Sequence, residues 1–133
     1  MWASLLVLGF LGCGRKPTVA VLPASTENLQ KIANAYRLAT DNLGVAPRSL
    51  DDLLPALKQL GYGPEVLKSP DDGEDYVIVW GVDYRYAQGN PVLAYERRGR
   101  DGIRLVNLLH FIVPVSPEDF KKLSLPPGHQ TPP

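Results

Sequence analysis

The first thirteen residues set the strongest constraint on what this chain of 133 residues can fold into. The stretch Met1–Cys13, MWASLLVLGFLGC, contains only apolar or small side chains, and Arg15 and Lys16 follow it almost at once. A helix that crosses a bilayer needs about 20 apolar residues, so this stretch is too short to span a membrane. Its length and composition are typical of the apolar part of a secretory signal peptide. The folded domain is therefore expected to begin after it.

The end of this stretch resembles the lipobox of bacterial lipoproteins. Phe10, Leu11 and Gly12 precede Cys13, the single cysteine of the chain, which occupies the lipidated position of that family. The resemblance implies that residues 1–12 are a signal peptide, and that the released Cys13 carries diacylglycerol on its sulfur and an acyl chain on its amine. Several long acyl chains make a stable membrane anchor and place the domain on the non-cytoplasmic side. The alternative is a buried core segment in which Cys13 is merely a small apolar side chain.

Residues 13–24 are expected to comprise the lipidated cysteine and a tether. Pro17 and Pro23 disfavour a helix that runs through this stretch, because proline removes a backbone donor and clashes with the preceding turn. Fully extended, residues 14–24 reach at most about 36–40 Å. The tether is therefore expected to hold a small domain close to a bilayer.

Apolar residues recur every three or four positions between residues 25 and 43, which predicts one long amphipathic helix. These positions are Leu29, Ile32, Tyr36, Ala39 and Leu43. Ser25 or Thr26 is expected to cap the start of the helix, and Gly44 to end it.

A second, shorter helix is predicted after Ser49 and Asp52, which have the spacing of a capping pair. Pro55 is accepted without cost only in a first turn, so we expect a turn at 50–53 and a helix near 54–60. The leucines of this segment are expected to form its packing face: Leu50, Leu53, Leu54, Leu57 and Leu60.

The chain then changes to the alternating pattern of strands. Tyr76–Tyr86 predicts a strand with a bulge at Gly81. Val92–Glu96, Ile103–Leu109 and Phe111–Val115 predict three more, and Pro114 confines the last of them to a sheet edge.

Ser116 and Pro117 then predict the start of a short C-terminal helical turn. The fold class is therefore α+β: a long N-terminal helix packed on a four-stranded antiparallel sheet, with a short second helix and a C-terminal helical turn, over residues 25–125. Residues 126–133 are rich in proline and are expected to form a disordered tail.

Several of these segments, in their order and spacing, resemble the globular part of type IV pilin-like proteins. The resemblance is strongest to the pseudopilins of type II secretion and their planctomycete-type relatives. The matching segments are Asn28–Tyr36, Gly44–Leu54, Pro91–Glu96, Gly102–Asn107 and Val115–Phe120. The resemblance implies a structural or interaction domain of the cell envelope, accessory to secretion or pilin-like machinery. Pilins differ in having about 20 apolar residues continuous with the long helix, so this chain looks like a pilin-type head on a lipid anchor.

Composition restricts the remaining functions. The chain has 14 acidic and 14 basic residues, without the basic excess that is typical of nucleic-acid binding. One cysteine excludes an internal disulfide and a cysteine-based zinc cage. His110 lies between apolar residues and is expected to be a core or rim histidine rather than a catalytic one. Phosphate-loop, nucleophile-elbow and HExxH motifs do not occur, so we expect no enzyme and no cofactor.

One acidic segment is a candidate calcium site. Asp71, Asp72, Glu74 and Asp75 surround Gly73, and Ca²⁺ prefers six to eight oxygen ligands. Some major pseudopilins bind calcium in a loop of the sheet region, so the resemblance also points to a Ca-binding head. The alternative is a solvated acidic loop.

Two further groups of side chains have both a binding and a structural interpretation. Four arginines either form a patch that binds an anion or keep a hairpin soluble: Arg97, Arg98, Arg100 and Arg104. Tyr76, Trp80, Tyr84 and Tyr86 lie on one face of the predicted strand and either stack a ligand such as a sugar or pack against the long helix. The alternative function is therefore a small ligand-binding module that uses this aromatic face.

Overall fold

The computed structural model describes residues 23–132, so residues 1–12, Cys13 and most of the tether lie outside the described part. The helices are α1 (Pro23–Leu43), α2 (Leu50–Gln59) and α3 (Pro117–Phe120), with a 3₁₀ turn at Pro64–Leu67. The strands are β1 (Val77–Ile78), β2 (Ala94–Tyr95), β3 (Arg104–Asn107) and β4 (Ile112–Val115). The predicted α+β class, with a long first helix, a shorter second one and a four-stranded antiparallel sheet, is confirmed. Within residues 23–132, no helix has the length and apolar character needed to cross a bilayer.

Helix α1 begins earlier than the sequence predicts. Its first residue is Pro23, which is well suited to that position because the first N–H groups of a helix have no partner within it. Ser25 therefore lies inside the first turn rather than at the cap, and its side chain is fully buried. Ile32 and Tyr36 are also fully buried, as predicted, whereas Leu43 is 47% exposed at the other end of the helix.

Helix α2 begins at Leu50, so the predicted separate turn at 50–53 is wrong. Pro55 lies inside the helix, where it has no N–H to donate to the carbonyl of Asp51. Both residues are exposed to solvent. The Ser49 side chain makes no capping hydrogen bond, so the predicted capping pair is wrong. The Asp52 carboxylate instead accepts the Arg48 N–H at 2.9 Å. The packing face also differs from the prediction, because Ala56 joins it. The buried residues are Leu53, Ala56 and Leu57, whereas Leu50, Leu54 and Leu60 are exposed.

The sheet has the strand order β1-β2-β3-β4, and each neighbouring pair is antiparallel. Ala94 of β2 and Leu105 of β3 pack against α1, where they contact the cluster that contains Ile32. Since side chains alternate along a strand, Tyr95 lies on the opposite face. There it packs edge-on against Phe120 of α3, with ring centroids 4.9 Å apart. The sheet is therefore covered on both faces.

The predicted strand over Tyr76–Tyr86 is mostly wrong, since only Val77 and Ile78 pair as β1. After β1 the chain turns at Gly81, whose φ of +79° is a left-handed conformation that glycine adopts without strain. The Gly81 N–H donates to the Pro47 carbonyl at 2.9 Å, and the Val82 N–H donates to the Tyr36 hydroxyl at 2.9 Å. These backbone donors therefore pair outside the sheet. The alternating pattern of the sequence does not reveal such partners.

The C-terminal region also departs from the prediction. Ser116 caps α3 as expected, because its hydroxyl accepts the Asp119 N–H at 3.2 Å. Residues 126–132 belong to the predicted disordered tail, yet His129 packs on the sheet. Its Nε2 shares a 2.8 Å hydrogen bond with the Tyr95 hydroxyl, and burial lowers the pKa of this imidazole.

Candidate functional site

The most unusual feature of the interior is a buried glutamate. Glu96 directly follows β2 and has no exposed surface. Its Oε2 accepts hydrogen bonds from the hydroxyls of Ser25 and Ser69, both 2.7 Å long. Its Oε1 accepts the backbone N–H of Leu105 at 2.8 Å. Three donors thus replace the water that this carboxyl group loses on burial, as burial of a polar group requires.

Each donor comes from a different element, so the glutamate joins three parts of the fold. Ser25 lies in the first turn of α1, Ser69 follows the 3₁₀ turn, and Leu105 belongs to β3. The Tyr76 hydroxyl extends the network, because it lies 2.8 Å from Ser25 Oγ. The same hydroxyl donates to the Ser25 carbonyl at 3.3 Å. Burial is the main cause that raises the pKa of Tyr76, so it stays protonated and able to donate.

Asp71 brings a second carboxyl group to the same place. Its side chain is only 4% exposed, and its Oδ1 lies 3.4 Å from Arg100 Nη2. Burial raises the pKa of Asp71 to about 6, and a hydrogen bond with Glu96 and its negative charge act in the same direction. Arg100 opposes this shift. We call Ser25, Ser69, Asp71, Tyr76 and Glu96 the Glu96 cluster. Within residues 23–132, every buried side-chain nitrogen and oxygen has a hydrogen-bond partner.

The acidic residues proposed to bind calcium mostly contact the loop 97–102, which we call the arginine loop because it carries Arg97, Arg98 and Arg100. Asp72 Oδ2 accepts the backbone N–H groups of Arg98 and Gly99 at 2.9 and 2.8 Å. Glu74 lies 3.6 Å from the Arg98 guanidinium, and Asp75 is exposed. In the part of the chain that is described, no group of three or more metal-ligating side chains is close enough to hold an ion. Calcium binding by Asp71, Asp72, Glu74 and Asp75 stays a prediction.

The four arginines proposed as an anion patch do not point to one place. Arg98 and Arg100 pair with carboxylates of the acidic loop. The Arg104 guanidinium instead lies over the Phe120 ring, 4.2 Å from its centroid, while its Nε donates to the Arg97 carbonyl at 3.0 Å. These contacts support the structural interpretation of the arginines.

The aromatic residues also separate, because β1 ends at Ile78 and does not continue to Tyr86 as predicted. Tyr76 is buried in the Glu96 cluster, and Trp80 stacks on Tyr36 with centroids 6.4 Å apart. Tyr84 donates to Asp41 at 2.7 Å, whereas Tyr86 is 78% exposed. The four side chains therefore do not form one stacking surface.

The predicted rim histidine lies in the turn between β3 and β4. His110 is exposed, and it follows Leu109, a buried residue with φ of +72°. Asn107 stabilises this turn, because its Oδ1 accepts the Leu109 N–H at 2.8 Å. Its Nδ2 donates to the Leu29 carbonyl of α1 at 3.1 Å. The surroundings of His110 are therefore those of a structural turn.

Sequence reasoning missed the Glu96 cluster. Local patterns predict Ser25 as a helix cap and Glu96 as the end of a strand, and they give Ser69 no special role. One signal was available, since alternation in Val92–Glu96 places Glu96 on the same face as Ala94. A glutamate on a predicted buried face requires partners, although the sequence does not identify them.

Comparisons with known proteins add no relative: a scan of protein-family models, a search of curated proteins and a search of solved structures each gave no match. The resemblance to pilin-like proteins and to lipoprotein signals therefore stays a prediction from the residues quoted above.

Proposed function

We propose that this chain is a lipid-anchored, non-enzymatic interaction domain of the cell envelope, held on the non-cytoplasmic side of a membrane. The observation that carries the proposal is the apolar stretch that ends in Phe10, Leu11, Gly12 and Cys13. Lipidation at Cys13 gives a membrane anchor without a spanning helix. The partner is an envelope protein, with an accessory role in secretion or pilin-like machinery suggested by the resemblance.

The geometry of α1 supports an anchored interaction domain. Helix α1 begins at Pro23, directly after most of the expected tether in the sequence, and its first turn is held to the sheet through Ser25. Since α1 has 21 residues, its other end lies about 30 Å from this point. Leu43, Val45 and Tyr86 are exposed there, with 47, 50 and 78% of their surface accessible. A domain tethered at one end thus presents apolar side chains at the other.

Loop contacts place Tyr86 at this end of the helix. The neighbouring Arg85 donates to the Gly44 carbonyl at 2.9 Å, and its guanidinium lies 5.4 Å from the Tyr86 ring centroid. Exposed aromatic and aliphatic side chains are enriched in protein interfaces. We assign this end of α1 to the partner.

The acid–base groups of the interior support a structural role. Glu96 is enclosed and bound by donors of the domain itself, so it offers no open position to a substrate. A general acid or base has to reach a substrate atom at hydrogen-bond distance. The Glu96 cluster is therefore interpreted as a structural element.

Mass spectrometry of the N-terminal peptide from a membrane fraction tests the proposal. The expected peptide begins at Cys13 and carries the mass of diacylglycerol and an acyl chain. The Cys13→Ala variant is expected to lack this lipid mass and to retain residues 1–12, whereas Gly14→Ala keeps the modified cysteine and serves as the control. An unmodified Cys13, or a wild-type peptide that still contains residues 1–12, would contradict the proposal.

A further inference from the structure

The outer edge of β1 is open in the part of the chain that the structure describes. β1 is the first strand of the sheet, so β2 covers only one of its two sides. Just before β1 the outer side is covered, because the Tyr76 N–H donates to the Leu67 carbonyl at 2.9 Å and Lys68 pairs with Asp75. Within residues 23–132, no bridge continues this cover along β1.

The pattern of hydrogen bonds directs the backbone of Ile78 to this open side. The Val79 N–H donates to the Leu93 carbonyl at 2.8 Å, on the side of β2. Since the backbone groups of successive residues in a strand point to opposite sides, the N–H and C=O of Ile78 point away from β2. Proteins generally cover such an edge, because its unpaired groups readily bind another strand.

Apolar side chains flank this edge and form a groove beside it. Four of them surround a cavity of about 180 Å³: Leu50, Leu67, Ile78 and Trp80. Asp75 lines this cavity and also a wider depression that begins at Ala24, in the first turn of α1. We call this continuous surface, from Ala24 past Asp75 to Ile78 and Trp80, the edge groove.

The chain itself contains a segment whose composition suits the edge groove. Residues 18–22, Thr-Val-Ala-Val-Leu, directly precede Pro23, the first residue of α1. Four of their five side chains are apolar, and Thr18, Val19 and Val21 are β-branched, which is typical of strands. The segment therefore has the character of an edge strand and adjoins the end of the groove at Ala24.

The distance to the edge is within reach of this segment. Ser25 Oγ lies 2.8 Å from the Tyr76 hydroxyl, and Tyr76 directly precedes β1. Only these two side chains separate the backbone at the start of α1 from the backbone that enters the strand. Five extended residues span about 17 Å, so residues 18–22 can follow the groove from Ala24 to Ile78.

We propose that residues 18–22 bind in the edge groove and pair with β1 at Ile78 as a fifth strand of the sheet. Only residues 14–17 then remain as a spacer between Cys13 and the domain, with a reach of about 14 Å. Combined with the lipid anchor of the proposed function, on which this consequence rests, the docked strand holds the start of α1 close to the bilayer. The exposed side chains at the other end, Leu43 and Tyr86, then face away from the membrane.

Hydrogen–deuterium exchange of the full chain, purified in detergent, tests the docked strand. In the wild type, the amides of residues 18–22 are expected to exchange at least about tenfold more slowly than their intrinsic rates. Leu50→Asp places a charge in the groove and is expected to remove this protection, while an acidic residue is favourable in the first turn of α2. Leu54→Asp is the matched control, because Leu54 is exposed on the same helix but does not line the groove, and it should keep the protection.

A variant in the segment itself keeps the test decisive if Leu50→Asp fails to fold. Val21→Asp leaves the domain unchanged and is expected to return residues 18–22 to their intrinsic exchange rates. Intrinsic exchange in the wild type, retained protection in Val21→Asp, or equal protection in Leu50→Asp and Leu54→Asp, as a detergent micelle alone would give, would overturn the docked strand. Lipidation is read separately from the mass of the N-terminal peptide, so failure of the anchor and failure of the docked strand are distinguishable.

Discussion

The two ends of α1 are held by different kinds of contact. At the start, the fully buried Ser25 donates to Glu96, which three donors from different elements surround. At the other end, Leu43 is 47% exposed, and the contact of Asp41 with Tyr84 lies at the surface. The start of the helix is therefore joined to the sheet by buried polar bonds. The opposite end leaves apolar side chains exposed to solvent.

The contacts at the two ends are expected to differ in their contribution to stability, because those at the start are buried and those at the other end reach water. A hydrogen bond to a charged group in the interior contributes about 1.5–3 kcal/mol, and removal of one partner also leaves buried groups without water. Exposed polar contacts contribute little, because water replaces them and salt screens their charges. Substitutions at the two ends are therefore expected to differ strongly in their effect on stability.

The largest effect is expected for Glu96→Ala. This change leaves the hydroxyls of Ser25 and Ser69 and the N–H of Leu105 without their acceptor in the interior. We expect the free energy of unfolding to fall by about 3 kcal/mol or more. Urea denaturation of the full chain measures it. Glu27→Ala removes an exposed glutamate from the same end of α1 and should change stability by less than about 1 kcal/mol. Equal losses in the two variants would remove the distinction between the ends.

The smallest effect is expected for Tyr84→Phe at the other end of α1. The variant loses the bond to Asp41 but retains the ring, and both groups reach water. Its thermal midpoint should lie within about 2 °C of the wild-type value in calorimetry. A fall of about 8 °C would show that this end is held as firmly as the start and would argue against its availability to a partner.

Much of the architecture is encoded in local patterns. The spacing of Leu29, Ile32 and Tyr36 predicts α1 and its buried face, and turn residues divide the later strands in the observed order. The prediction of a strand over Tyr76–Tyr86 is wrong where backbone N–H groups bond to residues far away in the sequence. The Val82 N–H bonds to the Tyr36 hydroxyl, 46 residues away, so an alternating sequence does not continue as a strand.

The Glu96 cluster was not predictable from local patterns for a related reason. Ser25 and Ser69 lie 71 and 27 residues before Glu96, so the donors converge only after the helix packs on the sheet. The acidic and arginine-rich segments illustrate the same limit. Each resembles a binding site alone, yet Asp72 accepts backbone N–H groups of the arginine loop, 26 and 27 residues further along.

A double-mutant cycle between Ser25→Ala and Glu96→Gln tests most directly whether the start of α1 is bound to the sheet through this pair. Unfolding free energies of the wild type, both single variants and the double variant of the full chain give the interaction energy. The 2.7 Å bond from a hydroxyl to a buried carboxylate predicts at least about 1 kcal/mol. An interaction energy within about 0.3 kcal/mol of zero would contradict the account.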